Sequence, residues 1–390
     1  MNPTILCIIA LLLVPLSGYG GPQAARTAAV RKLLVDPEAT PETVALSYNL
    51  KWSAKHRILI GQQNPDVTFL GAAGESDIKK VTGNDPAVWG SQIRESSVVR
   101  KDGKNLFHED LQNNLRLAAA AYDKGMVNTF WWCLTEPYAE QKWLRDDLSK
   151  EVLEKAFRSI LPGGENHDWY KGKLRKVAGI LGSIKGRDGT LAPVIFRPFH
   201  EFDGSWFWWG KDYSTAAEFQ SCWRFTVNYL RDDCKAHNLL YAFSPDCTFT
   251  SEEAYLERYP GDAYVDVVGF DDYADFEKND VAAAAAKIRV VSNYAKNHRK
   301  LAALTELGYR KQPVPRDLYT ARFGAALADP SIELAYLMFW RQGRSGKEGY
   351  FVPPPGADTL DDFLKFARES KLGFLPKTRS LYAIDAAAAD

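Results

Sequence analysis

Along the chain, short runs rich in β-branched and aromatic residues alternate with longer stretches whose apolar residues recur at helical spacing, and the short runs number eight. They are Arg57–Asn64, Ala87–Ile93, Met126–Leu134, Pro193–Glu201, Leu239–Asp246, Asp266–Tyr273, Leu301–Gly308 and Ala335–Gln342. Most are continuously hydrophobic, the pattern of parallel strands covered on their outer side by helices. Between them, residues 110–124 place Leu111, Leu115, Ala118 and Tyr122 on one face and stop before Gly125, a residue suited to a helix C-cap. Residues 215–235 open with Thr215 and Glu218 at capping-box spacing and turn Phe219, Cys222, Trp223 and Leu230 inward. Further helices are expected at 280–297, 316–328 and 358–370. With no internal repeat and no break in composition, the pattern predicts an α/β fold, a (β/α)8 TIM barrel, as a single domain over residues 21–390. The stretch 135–172 is long for a barrel loop, and it lies at the strand end where such barrels build their sites, so it either walls part of a cleft or is a structural excursion.

Residues Ile5 to Leu16 form an apolar run too short to span a bilayer, followed by the small residues of Gly18-Tyr19-Gly20. Residues 1–20 are therefore expected to be a cleaved signal peptide, although no Lys or Arg precedes the run, and the mature chain is expected outside the cytoplasm with no membrane attachment. Removal takes Cys7 with it and leaves Cys133, Cys222, Cys234 and Cys247. An even count permits disulfides in an oxidising compartment without requiring any. Cys222 and Cys234 on one helix would lie roughly 18 Å apart, beyond bridging distance. Forty-nine basic residues balance forty-nine acidic ones. No net field then gathers nucleic acid or an anionic membrane. Six scattered His and no CxxC or HExxH spacing offer no zinc site, and no cofactor is expected. The chain is expected to act as a monomer.

Aromatic content is high, with eleven Trp, eighteen Tyr and twenty Phe. The densest group is Arg197-Pro198-Phe199-His200-Glu201-Phe202-Asp203-Gly204-Ser205-Trp206-Phe207-Trp208-Trp209-Gly210, closing the fourth strand. A lone Glu at a strand end is ordinarily just solvated. Glu201 beside aromatic rings is instead partly desolvated, which favours the protonated form and suits it to protonate a leaving glycosidic oxygen. The seventh strand closes on Leu304-Thr305-Glu306-Leu307-Gly308-Tyr309. Strands four and seven face each other across a barrel mouth, and glycoside hydrolysis with retention needs two carboxyl groups about 5–5.5 Å apart, one as acid/base and one as nucleophile. Glu306 is the candidate nucleophile, with an ion pair to Arg310 or Arg341 as the ordinary alternative. Gly269-Phe270-Asp271-Asp272-Tyr273 closes the sixth strand, from where the Tyr273 hydroxyl can orient that carboxylate. Phe339-Trp340-Arg341 at the eighth offers an aromatic floor for a sugar ring, or a core tryptophan.

Over most of residues 50–370 these segments, with Leu161-Pro162-Gly163-Gly164 and Tyr350-Phe351-Val352-Pro353, resemble glycoside hydrolase family 26. The resemblance implies a (β/α)8 barrel, net retention, Glu201 as acid/base and Glu306 as nucleophile. It also implies His200, Tyr273 and Arg197 as polar groups around a β-linked polysaccharide, with Trp206, Trp340 and Trp132 as rings against the sugar. The best-known members are endo-β-1,4-mannanases; relatives act on mixed-linkage β-glucan or β-1,3-xylan. Three positions depart from the family pattern. Cys133 follows Trp132 where His is usual, Gln62 replaces a frequent His, and Ser91 stands where Asp is common; by analogy all three lie on the glycone side. A changed sugar specificity, or a carbohydrate-binding protein without catalysis, therefore stays open beside the mannanase.

Overall fold

In a computed structural model of the chain, the structure describes residues 22–66, 75–94, 106–342, 350–369, 371–376 and 380–384. The expected signal segment lies outside the described residues. All eight strands form: β1 Ile58–Gln63, β2 Val88–Arg94, β3 Val127–Cys133, β4 Val194–Arg197, β5 Leu239–Phe243, β6 Val267–Asp272, β7 Leu301–Leu307 and β8 Tyr336–Phe339. Each pairs in parallel with the next, and β8 pairs with β1, which closes the barrel. A two-residue strand, β9 Leu372–Gly373, adds to the start of β1.

Strand alternation divides the side chains between two cores. Leu59, Val88, Val127, Ile195, Leu240, Val267, Leu301 and Tyr336, each the first or second residue of its strand, fill the barrel interior. Leu46 and Leu50 join them from the helix Pro41–Ala54, which plugs the amino-terminal opening. That helix starts on Thr40, whose side chain accepts from the Thr43 N–H, with Pro41 in the first turn, where its missing N–H costs nothing. The alternate residues, including Ile58, Ile60, Trp89, Phe130, Trp132, Phe196, Phe243 and Phe339, face outward into the helix layer.

The expected helices appear at Leu106–Asp123, Ala216–Asn228, Val281–His298 and Leu360–Ala367. Gly125 takes φ 89°, the left-handed geometry that ends the first of these, and the Thr215–Glu218 capping box is formed in both directions. Two expectations change in detail. Residues 229–233 continue the second helix as a π turn, and most of the helix expected at 316–328 is a π-helix over Leu318–Gly324. The four described cysteines are unpaired, three of them buried.

Strand β4 is shorter than the sequence pattern implies. It ends at Arg197 because Phe199 and Glu201 both take the left-handed region, φ 52° and 50°, so Glu201 sits in a tight turn beyond the strand. Two such non-glycine residues cost on the order of 1–3 kcal/mol each. Packing offsets this: Phe199 is wedged among Trp132, Phe157, Tyr170, Trp209 and Phe219, and the Glu201 N–H donates to the Ser244 carbonyl (2.9 Å).

Candidate active site

Glu306 reaches the mouth through an irregularity in its strand. The β6–β7 register runs Phe270 to Leu304 and then Asp271 to Glu306, skipping Thr305. A bulge of this kind re-aims side chains at a barrel rim. It lets Thr305 and Glu306 serve the same cluster: the Thr305 hydroxyl donates to Asp271 Oδ1 (2.6 Å), while Glu306 Oε1 accepts from Arg197 Nη1 (2.9 Å) and Oε2 from the Tyr273 hydroxyl (2.9 Å). Arg197 also grips Asp271 with Nη2 (2.9 and 2.7 Å) and donates from Nε to Ser244 (3.1 Å). Arg197, Asp271 and Glu306 are all buried. An unpaired charge there would be untenable, and one guanidinium between two carboxylates with every group hydrogen-bonded meets that condition.

Glu201 faces this cluster from the turn after β4 and is half-buried. Its Oε2 accepts from the Trp206 indole N–H at 2.6 Å. Gly204 makes this possible, since a Cβ there would lie 2.2 Å from the Trp206 ring. One carboxylate oxygen each from Glu201, Asp271 and Glu306 falls within 4.8 Å of the other two. Burial pushes Glu201 well above the usual carboxylate range, and the charges of Glu306 and Asp246 push the same way. Burial also raises Glu306, but less far than Glu201, because Arg197 and the Tyr273 hydrogen bond oppose it. One proton shared between the two therefore rests on Glu201, leaving Glu306 ionised.

The insertion after β3 holds the Trp206 turn in place. Leu144 and Phe207 form an antiparallel bridge, the Arg145 N–H donates to the Trp206 carbonyl (2.8 Å), and the Trp208 N–H donates to the Trp143 carbonyl (3.3 Å). Trp206 itself stays 37% exposed, a free ring face at the rim. Behind this rim the buried Trp131 lies 4.6 Å from the buried His200 ring and 6.0 Å from the half-buried Trp340, centroid to centroid. Burial, and then Arg197, depress His200 well below its usual value, so its imidazole is neutral.

Residues 35–324 match the glycosyl hydrolase family 26 model, about three quarters of the chain. The chain belongs to glycosyl hydrolase family 26. The mannan endo-1,4-β-mannosidase of Bifidobacterium adolescentis is 34% identical over a 359-position alignment that covers 86% of this chain and 35% of that protein; the chain thus spans about a third of that relative's length. It covers 52% of the Bacillus subtilis mannan endo-1,4-β-mannosidase at 24% identity. Among solved structures, GH26C from a Muricauda species superposes with TM-score 0.85 at 38% identity, covering 92% of this chain and 98% of that one. The family 26 β-mannanase of Bacteroides ovatus superposes with TM-score 0.78 at 30% identity, covering 90% and 100%.

Within this family 26 barrel, Arg197, His200, Glu201, Trp206, Tyr273, Glu306 and Trp340 lie at one mouth. Trp132 does not join them. It is 1% exposed on the outer side of β3, packed on Tyr170, Phe196 and Phe199, because alternation from the inward Val127 turns Trp131 to the mouth and Trp132 to the helices. The same alternation corrects the glycone-side analogy. Gln62 pairs in register with Trp89 and Phe339 of the outer core, and Ser91 lies between Trp89 and Ile93 on that face; both are fully buried there. Only Cys133 falls on the inward side, also buried. Asp271, Ser244 and Thr305 were not singled out by the motifs, although period-two alternation from Val267 marks Asp271 as inward.

Among the described residues two groups are close enough to share a metal ion, and each already contains a fixed cation. Arg197 sits among Glu201, Asp271 and Glu306; in the second group, Cys247, Asp272 and Asp275, the Lys287 ammonium donates to Asp275 Oδ2 (2.5 Å).

Proposed function

We propose that this chain is an exported, retaining endo-β-1,4-mannanase, with Glu306 as nucleophile and Glu201 as acid/base. The carrying observation is the pair itself: two carboxyl groups with oxygens within 4.8 Å, environments that part their protonation states, and an open aromatic rim beside them. This separation supports retention, since inversion needs about 6.5–9.5 Å to admit a water between the groups. Glu306 attacks the anomeric carbon as the glycosidic C–O bond breaks, and the Glu201 proton passes to the departing oxygen. The sugar is then esterified to Glu306. Glu201, now ionised, takes a proton from water, whose oxygen attacks the same carbon and releases Glu306. Arg197 and Tyr273 hold the nucleophile's two oxygens and steady its charge as it is lost and regained. Mannan as substrate is supported by the family 26 relatives named above. Export is supported by the apolar run Ile5–Leu16.

One observation favours a second reading within the family. Cys133 occupies an inward position of β3 where the family pattern carries His, so a related β-glucan or β-1,3-xylan remains a competing substrate. Protein lacking residues 1–20, assayed on mannan, galactomannan, mixed-linkage glucan and xylans, is expected to release oligosaccharides from the mannans. Release from glucan or xylan alone would move the assignment to the second reading. No turnover of any β-glycan would leave a binding protein.

A further inference from the structure

Tyr273 follows the last residue of β6, and its hydroxyl must stay on Glu306 Oε2 through both halves of the reaction. The backbone alone does not ensure that, because a free phenol ring swings about two side-chain torsions. Two groups enclose the ring. Phe351 meets it edge-on, with centroids 6.3 Å apart and planes at 80°, and the Arg310 guanidinium carbon lies 4.7 Å over its centroid. Arg310 is itself fixed: its backbone N–H (3.1 Å) and Nε (2.8 Å) donate to Glu277 Oε1, and Nη2 donates to Oε2 (3.3 Å). Glu277 belongs to the short helix Ala274–Lys278, which begins directly after Tyr273. The chain between Glu306 and Arg310 passes close to this assembly at Gly308, where a Cβ would lie 2.2 Å from the Phe351 ring and 3.1 Å from Tyr273. The ends of β6 and β7 are thus tied twice, by Tyr273 to Glu306 and by Arg310 to Glu277, with the cation of the second tie covering the ring of the first.

We infer that Arg310, latched by Glu277, is a positioning residue for catalysis, clamping the Tyr273 ring and strengthening its hydroxyl as a donor to Glu306. The inference rests on Glu306 being the nucleophile. A cation over an aromatic face draws electron density from the ring and makes the phenolic O–H a better donor. Its charge favours the ionised form of Glu201 directly, and the strengthened Tyr273 hydrogen bond favours that of Glu306. Glu306 is faced by Arg197 from β4, Glu201 from the following turn, Asp271 and Tyr273 from β6, Cys133 from β3 and Tyr336 from β8; Glu201 is faced in addition by Asp246 from the loop after β5. Arg310 is the cation against Tyr273, which holds Glu306 Oε2, while Arg197 holds Oε1.

The sign of the consequence is fixed. Removing a cation raises the pKa of a nearby carboxyl, so both limbs of the pH profile of kcat/KM, the acidic one set by Glu306 and the alkaline one by Glu201, move to higher pH in Arg310→Met. In Glu277→Gln the cation stays and a neighbouring anion is lost, so both limbs move to lower pH. The test measures these profiles, with kcat and KM, for the full-length wild type, Arg310→Met, Arg310→Lys and Glu277→Gln on whichever β-glycan the wild type cleaves, with Glu306→Ala as control. The expected result is a kcat about tenfold lower in Arg310→Met with little change in KM, opposed limb shifts in the Met and Gln variants, and return of the limbs toward wild type in Arg310→Lys. Unmoved limbs, or a change confined to KM, would overturn the inference and make Arg310 a packing or sugar-contacting residue. An active Glu306→Ala control would instead remove the functional reading on which it stands.

Discussion

The two ends of one barrel interior are built by the same alternation and made of opposite materials. At the amino-terminal end, Leu46 and Leu50 from the plugging helix meet the apolar side chains of Leu59, Val127, Ile195 and Leu240. At the carboxyl-terminal end, Arg197, Asp271 and Glu306 are as deeply buried, yet every contact made between them is a charged hydrogen bond. The floor gains stability from removing apolar surface from water. The mouth spends stability on charge crowding and on two left-handed residues. Floor mutations should therefore register in folding, and mouth mutations in turnover.

The sharpest break of that comparison is Glu306→Ala. Activity should fall by roughly 10³-fold or more, while thermal denaturation leaves the fold as stable as the parent or nearly so; a variant that unfolds instead would make the mouth a structural element. Leu50→Ala should do the reverse. Chemical denaturation should report a loss of about 2–5 kcal/mol, with kcat per folded molecule unchanged. Trp131→Ala sharpens the boundary between inward and outward faces: KM for a soluble oligosaccharide should rise about tenfold, the scale of one lost stacking ring, whereas Trp132→Phe should leave KM alone and cost stability only. Asp246→Asn is the smallest. Burial and then Asp203 push Asp246 up to about 7, and its charge adds to the rise at Glu201. Removing that charge lowers the Glu201 pKa, so the alkaline limb of the rate profile should move down by a fraction of a pH unit, measurable by initial rates across pH 5–9.

Much of this was legible in the chain. Eight runs, most of them continuously apolar, separated by helical stretches predict the barrel, and each run corresponds to one observed strand within a few residues. Glu201 and Glu306 were visible because each stands at the end of an apolar run beside aromatic or glycine-flanked residues. The plugging helix was not singled out, because Val44, Ala45, Leu46 and Leu50 surround it instead of marking one face. Nor was the early end of β4: nothing in Phe199 or Glu201 announces a left-handed backbone, which tertiary packing imposes. The choice between Trp131 and Trp132 turns on which alternate residues of β3 face inward, and register with Arg197 on β4, a relation between strands, sets that. The bulge at Thr305 is of the same kind, a property of the β6–β7 pairing.

The most direct test of two cooperating carboxyl groups is the anomeric form of the first product, followed by proton NMR as the wild-type enzyme begins to cleave a β-linked mannooligosaccharide. Double displacement predicts that the β-anomer appears first and the α-anomer only later by mutarotation. Initial release of the α-anomer would mean single displacement by water and would contradict Glu306 as nucleophile.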